Sequence, residues 1–203
     1  RPHELDVADL DQDGDWDVLA SSGFADQIVW YENDGDGNFS RSKEITHSGN
    51  FHMGIETGDL DGDGDIDVIS GDKIRHWINL YINNGSGTGW SSSQITDDAR
   101  GMRSTFVSDL DNDGDLDLLS ASADDNKIAW YRNDGNANFS SQIVISNEAI
   151  SAWDVFAGDV DGDGDPDVLS ASSGDNKIAW YENDGAGNFS REIIISDAAG
   201  GIR

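Results

Sequence analysis

The sequence predicts an all-β chain, a propeller-type array of four four-stranded antiparallel blades that repeats every fifty residues. Three observations predict it. Asp-rich loops open at Asp9, Asp59, Asp109 and Asp159, and the aromatic markers Tyr31, Tyr81, Tyr131 and Tyr181 keep the same spacing. Each unit divides into short apolar runs separated by Gly, Asn and Asp clusters. No segment carries a helical period of useful length.

The period divides the 203 residues into repeats 1–50, 51–100, 101–150 and 151–200, with 201–203 starting a fifth unit. Repeats three and four are near copies, as SASADDNKIAWYRNDGNANFS beside SASSGDNKIAWYENDGAGNFS shows. Gly201-Ile202-Arg203 repeats Gly101-Met102-Arg103, and the chain opens on Arg1. A single propeller domain, or a piece of a longer array, is the expectation. Four blades closing alone, pairing into eight or forming part of a larger ring all agree with the sequence.

In the last repeat the strands are expected at 153–157, 167–171, 177–182 and 189–195. The first strand of each unit ends in Ala8, Gly58, Ser108 or Gly158, small residues suited to a turn and to crowding near a propeller axis. The runs Val168-Leu169 and Ile178-Ala179-Trp180-Tyr181 do not alternate cleanly, so both faces of the sheet should be covered, as stacked blades do. Asn183-Asp184-Gly185, like Asn33-Asp34-Gly35 and Asn133-Asp134-Gly135, is hairpin chemistry and is assigned no metal role. Repeat two reads DKIRHWINLYINNGSGTGW here, so its third strand is expected to be longer or irregular.

Charge points to the loops. The formal net charge is -29, with 41 acids against 12 Lys and Arg. Four clusters of five Asp hold 20 of those acids, so the acidity is concentrated in regularly placed loops rather than spread over a solvated face. With 7 Trp, 7 Phe and 4 Tyr the chain is not a disordered acidic tract. Such a surface excludes nucleic acid as a partner. No apolar run approaches the ~20 residues of a membrane-spanning helix. There is no cysteine, so metal must do any stapling.

The loops read DLDQDGDWD (9–17), DLDGDGDID (59–67), DLDNDGDLD (109–117) and DVDGDGDPD (159–167). Oxygens at positions 1, 3, 5 and 9, a Gly at position 6 and a carbonyl at position 7 can wrap one hard cation, and Ca2+ is the natural occupant. An EF-hand would need a Glu at position 12, where this chain has Ala20, Ser70, Ser120 and Ser170, and flanking helices where it has strand-forming pairs such as Val68-Ile69.

These loops resemble the calcium loops of the FG-GAP and VCBS repeats, the family that builds integrin-α-type propellers, and the resemblance covers all four units. It implies a loop between the first and second strands of each blade. It also implies about four Ca2+ ions, held by the carboxylates of Asp9, Asp11, Asp13 and Asp17; Asp59, Asp61, Asp63 and Asp67; Asp109, Asp111, Asp113 and Asp117; and Asp159, Asp161, Asp163 and Asp167. Asp15, Asp65, Asp115 and Asp165 should contribute mainly their carbonyls. The Phe-Gly and Gly-Ala-Pro signatures of FG-GAP units are not clear, and the match is closer to the VCBS unit.

Trp30, Trp130 and Trp180 recur at one strand position, which assigns them to inter-blade packing rather than to sugar stacking. His3, His47, His52 and His76 do not recur with the period and form no metal pair. Four equivalent acidic loops argue against one pair of catalytic carboxylates, so no enzyme is expected. Residues that vary at the start of each first strand, His3, Met53, Arg103, Trp153 and Arg203, lie with loops 22–27, 71–73, 123–127 and 173–177 on the rim opposite the metal loops. The first four are candidate ligand-binding residues. The expectation is a secreted or cell-surface adhesion or recognition module for a protein or glycan. A carbohydrate-binding appendage of a polysaccharide-degrading enzyme, or a calcium-stabilised spacer, is the alternative, and self-association to complete a larger propeller is a further expected partner interaction.

Overall fold

The computed structural model describes residues 2–22, 26–47 and 51–199. Residues 23–25 of the first rim loop, and 201–203 with Arg203, lie outside the described residues.

Every regular element among the described residues is a strand. Repeat one comprises β1 (Pro2–Ala8), β2 (Asp17–Ser22), β3 (Gln27–Tyr31) and β4 (Lys43–Thr46). Repeat two comprises β5 (His52–Gly58), β6 (Asp67–Asp72), β7 (Trp77–Asn83) and β8 (Trp90–Thr96). Repeat three comprises β9 (Met102–Ser108), β10 (Asp117–Ser122), β11 (Lys127–Tyr131) and β12 (Ile143–Ser146). Repeat four comprises β13 (Ala152–Gly158), β14 (Asp167–Ser172), β15 (Lys177–Tyr181) and β16 (Ile193–Ser196). Each repeat is one antiparallel meander whose strand order is its sequence order. The Asp-rich segment joins the first strand to the second in all four.

The fourth strand begins later than the sequence suggests. Phe189 meets Asn183 in an isolated bridge, Ser190 N–H donates to the Glu182 carbonyl, and regular pairing resumes at Ile193. Repeat two departs as expected, with seven-residue β7 and β8 where the other repeats have five and four.

The hydrophobic cores lie between blades. Leu10, Leu19, Ile28 and Trp30 of blade one pack on Ile55, Val68 and Tyr81 of blade two. Leu60, Ile69, Ile78 and Leu80 then pack on Met102, Leu118 and Tyr131, and Leu110, Leu119, Ile128 and Trp130 on Val155, Val168 and Tyr181. Each blade therefore has a trailing face that meets the next blade and a leading face that meets the one before. This accounts for the lack of alternation in the second and third strands, since both of their faces are apolar.

Small residues let the blades approach. A Cβ on Gly58 would sit 2.6 Å from Leu116 Cδ1 of the following blade, and Trp30 and Trp130 press on Gly87 and Gly187, where a Cβ would meet the indoles at 2.4 and 2.2 Å. Where blade two carries Leu80 in place of Trp, the facing residue of blade three is Ala137.

Candidate metal centres

The loop is shaped first by its own side chains. Asp9 accepts hydrogen bonds from the N–H groups of Asp13 and Gly14 at 3.1 and 3.0 Å, and Asp109 does the same for Asp113 and Gly114. Asp59 and Asp159 accept from the N–H groups at loop positions 4 and 6. The third aspartate closes an Asx turn two residues on in every repeat, as Asp13 accepts from Asp15 N–H at 3.0 Å. Position 6 is Gly with φ of 95°, 93°, 97° and 101° in the four loops, a backbone region that side chains avoid.

The last aspartate anchors the loop to the blade. Asp17, Asp67, Asp117 and Asp167 are completely buried at the start of the second strand. One carboxylate oxygen of each accepts the N–H of Leu10, Leu60, Leu110 or Val160, and the other the N–H of Asn33, Asn83, Asn133 or Asn183, at 2.8 to 3.2 Å. Sequence spacing identified this position as a cation-facing oxygen; its backbone-bridging role comes from the fold.

Four groups of acidic oxygens result, each lying within 4.8 Å of one another: Asp9, Asp11 and Asp13; Asp59, Asp61 and Asp67; Asp109, Asp111 and Asp117; and Asp159, Asp161 and Asp163. Each cluster could hold a metal ion. The structure thus brings together most of the side chains predicted from the sequence, one cluster per repeat. Asp15, Asp65, Asp115 and Asp165 stand aside, their carboxylates against Gly35, Gly85, Gly135 and Gly185 of the neighbouring hairpin.

The electrostatics fit a cation. Burial, opposed by two backbone hydrogen bonds and reinforced by the other loop carboxylates, pushes Asp67 up to about 7 and Asp117 up to about 6. Asp11, Asp61, Asp111 and Asp161 are also raised, by burial and by the adjacent loop acids. Asp11 Oδ1 and Asp111 Oδ1 are buried without a hydrogen-bond partner. A carboxylate oxygen in that position would be satisfied by a cation.

The clusters are not equivalent. Arg132 places its guanidinium on Asp111 and Asp113, 2.9 Å from Asp113 Oδ2, and lowers Asp113 through that hydrogen bond. Glu32 and Glu182 occupy this position in repeats one and four, and Ile82 in repeat two. Sequence reasoning passed over Arg132 because it lies outside the loop, although the change of charge at a repeated position was visible.

The rim residues separate. Trp153 and Arg103 are the extra residues of β-bulges, unpaired with the second strand, and the Arg103 guanidinium carbon lies 4.6 Å from the Trp153 ring centroid. His3 meets Phe51 edge to face at 5.5 Å. Met53 is instead buried in the core between blades two and three, because the left-handed Gly54 takes the bulge in that repeat and leaves Met53 paired with Gly71. It is not offered to a ligand. A different surface groove appears on blade two, lined by Arg75, Trp77, Asn79, Tyr81, Ser92, Ser93 and Gln94.

The sequence profile of the FG-GAP-like repeat matches residues 9–70, 59–120, 109–170 and 159–203. No curated protein matches the chain in sequence. Among solved structures, the chain is similar to an Agrocybe aegerita lectin described for specific recognition of non-reducing terminal N-acetylglucosamine, with 22% identity and a TM-score of 0.70 over 96% of this chain and 52% of the lectin. It also resembles an exo-beta-1,3-galactanase from Phanerochaete chrysosporium, at 16% identity and TM-score 0.58 over 89% of this chain and 47% of that one. The V. cholerae biofilm matrix protein Bap1 aligns at 21% identity and TM-score 0.57, over 93% of this chain and 28% of that one. The chain therefore spans about half or less of each of these proteins, and at these identities the likeness is one of fold.

Proposed function

Because the chain belongs to the FG-GAP-like repeat family, we propose that it is a non-catalytic, calcium-binding propeller module that works outside the cell as a glycan-recognition unit. The observation that carries the calcium half is the quartet of carboxylate clusters within 4.8 Å, two of which hold a buried, unpartnered oxygen. Oxygen-only donors, several carboxylates per site and a flexible glycine-bearing loop select Ca2+ over Zn2+, which takes His or Cys, and over Mg2+, which keeps its water. In this reading the aspartates at positions 1, 3, 5 and 9 of each loop supply the carboxylates. The position-7 aspartates, whose side chains stand aside, supply carbonyls. Bound Ca2+ supplies charge neutralisation and stiffening; recognition is left to the protein's own surface.

For the ligand half, the blade-two groove sets Trp77 beside the amides of Asn79 and Gln94, the hydroxyls of Ser92 and Ser93 and the Arg75 guanidinium, with the buried Tyr81 beneath them. Aromatic faces beside neutral hydrogen-bonding groups suit the apolar and hydroxylated faces of a sugar ring. The likeness of fold to a lectin and a galactanase agrees with this ligand class.

Calorimetric titration of the metal-free chain should give about four sites for Ca2+, with weak or no response to Zn2+; fewer than three would sink the calcium reading. A glycan array in calcium buffer tests the ligand, and Trp77→Ala should abolish any binding there without moving the melting temperature. Retained binding would remove the groove from the proposal.

A further inference from the structure

The rim opposite the acidic loops holds two neighbouring cations that no carboxylate pairs. Among the described residues, Lys43, Arg75, Arg100, Lys127, Arg132 and Lys177 each stand 2.5 to 3.8 Å from a carboxylate. Lys73 and Arg103 make no such pair, in a chain with 41 acids against 12 Lys and Arg.

Packing brings the two together. Lys73 lies in the loop after β6, and Arg103 is the bulge residue of β9 in the next blade. At the joint between them Met102 presses on Gly71, where a Cβ would fall 2.8 Å from the Met102 sulfur. The Lys73 ammonium lies 5.4 Å from the Phe51 ring centroid and the Arg103 guanidinium carbon 4.6 Å from that of Trp153. Burial, and then the charge of Arg103, hold the Lys73 ammonium below its ordinary value, against the opposing charge of Asp124.

Arg103 Nε is buried without a hydrogen-bond partner. A ring face attracts the charge but leaves that donor unmade, and an unmade buried donor is costly. Two cations and a spare N–H in one place are chemistry for an oxyanion.

The repeats supply the control. The residue at the place of Lys73 is Gly23, Ala123 or Ser173 in the other repeats, and that at the place of Arg103 is His3, Met53 or Trp153. Only the joint between blades two and three has Lys or Arg on both sides. Both of these blades are covered on each face by a blade of this chain, so the pair does not depend on where the array ends.

The acidic loops are too far away to cancel it. Six residues separate Arg103 from Asp109, or ~20 Å of extended strand, more than twice the ~8 Å screening length at 0.15 M salt.

We propose that Lys73 and Arg103 form a second recognition site, for a sugar that carries an anionic group, either a uronate carboxylate or a sulfate ester. The cations take the oxyanion, and the Phe51 and Trp153 rings offer apolar contact to the sugar beside it. Neither cation lines the blade-two groove, though the site rests on the same reading of the chain as a glycan-recognition unit.

The test is calorimetry of the 203-residue chain in calcium buffer with three hexasaccharides: one with alternating glucuronate units, the same with its carboxylates reduced to alcohols, and an O-sulfated form of the reduced one. At least one anionic form should bind about tenfold tighter than the neutral one, and which of them does so names the oxyanion. The advantage should shrink as NaCl rises from about 0.05 to about 0.5 M. Lys73→Gln and Arg103→Gln should each weaken that binding about tenfold, and Arg103→Lys, which keeps the charge but not the fork, should weaken it less. Circular dichroism shows that the variants fold, and the comparison of charged with neutral sugar on the wild type stands without them. A neutral form bound as tightly as both anionic ones overturns this site and leaves the glycan reading standing. Loss of acidic-sugar binding in Trp77→Ala, with none in Lys73→Gln combined with Arg103→Gln, places the ligand in the groove and overturns it too. So does a wild type that binds neither anionic form at ~1 mM, whatever the glycan array returns for neutral sugars.

Discussion

Residue-scale features of the joints and loops have separable consequences. Gly187→Ala would drive a methyl into the Trp130 indole and should cost about 1–3 kcal/mol in urea unfolding. Trp130→Leu should relieve much of that cost, reproducing the Leu80–Ala137 pair of the second joint, and a double-mutant cycle would measure the coupling. At the third loop, Arg132 occupies carboxylate oxygens that a cation would use. Arg132→Glu should tighten Ca2+ there by about tenfold, or ~1.4 kcal/mol, as read by calorimetry. Glu56, on the inner strand β5, is pushed up to about 8 by burial and then by the charges of Asp6, Glu4 and Asp154, against a hydrogen bond from Val107 N–H. A carboxyl with a raised folded value holds its proton more tightly folded than unfolded. Its contribution is full below the ordinary carboxylate range and is lost as pH climbs to about 8. Glu56→Gln should flatten that fall, which we place at ~1–3 kcal/mol after discounting for relaxation.

The element that matters most is the strand–loop–strand unit. Its closing aspartate ties the start of the loop to the hairpin beyond the third strand, so loop order and sheet register are one feature. Removing Asp111 and Asp113 together (Asp111→Ala with Asp113→Ala) should loosen blade three more than its neighbours, because repeats contact mainly the adjacent repeat. Hydrogen exchange should show the largest loss of protection in β9 and β10. Equal loss across all four blades would mean the array unfolds as one unit. Repeat two shows how an element can diverge while the joint is kept. Its longer β7 and β8 build the groove around Trp77, yet Ile78, Leu80 and Tyr81 still enter the inter-blade cores.

At the scale of the whole molecule the formal charge of -29 opposes the compact state through self-repulsion. Four Ca2+ ions would offset part of it, bringing -29 to -21, where the carboxylates are closest. Binding to the folded state alone adds about 2.7 kcal/mol per site at a hundredfold excess over Kd, so four sites together rival the ~5–15 kcal/mol stability of a domain. Excess EGTA should therefore lower the melting temperature sharply or unfold the chain. An unchanged melting curve would show that the inter-blade cores suffice without the ions.

How much was legible in the sequence follows from what repeats. Apolar runs, turn residues and Asp spacing recur every fifty residues, and local chemistry of that kind determined the all-β class, the four meanders and the position of each acidic loop. The Trp positions pointed to inter-blade packing for the same reason. Contacts between chain segments far apart in sequence were decided only by the tertiary structure. They include the bridging of Leu10 and Asn33 by Asp17, the burial of Met53 once Gly54 took the bulge, the Arg132 guanidinium on a loop it does not belong to, and the pairing of Trp with Gly across joints. The sequence lists the residues of every blade alike; only stacking makes Ile55 core and leaves Leu5 exposed, because burial belongs to the neighbour that covers a residue and not to the residue itself.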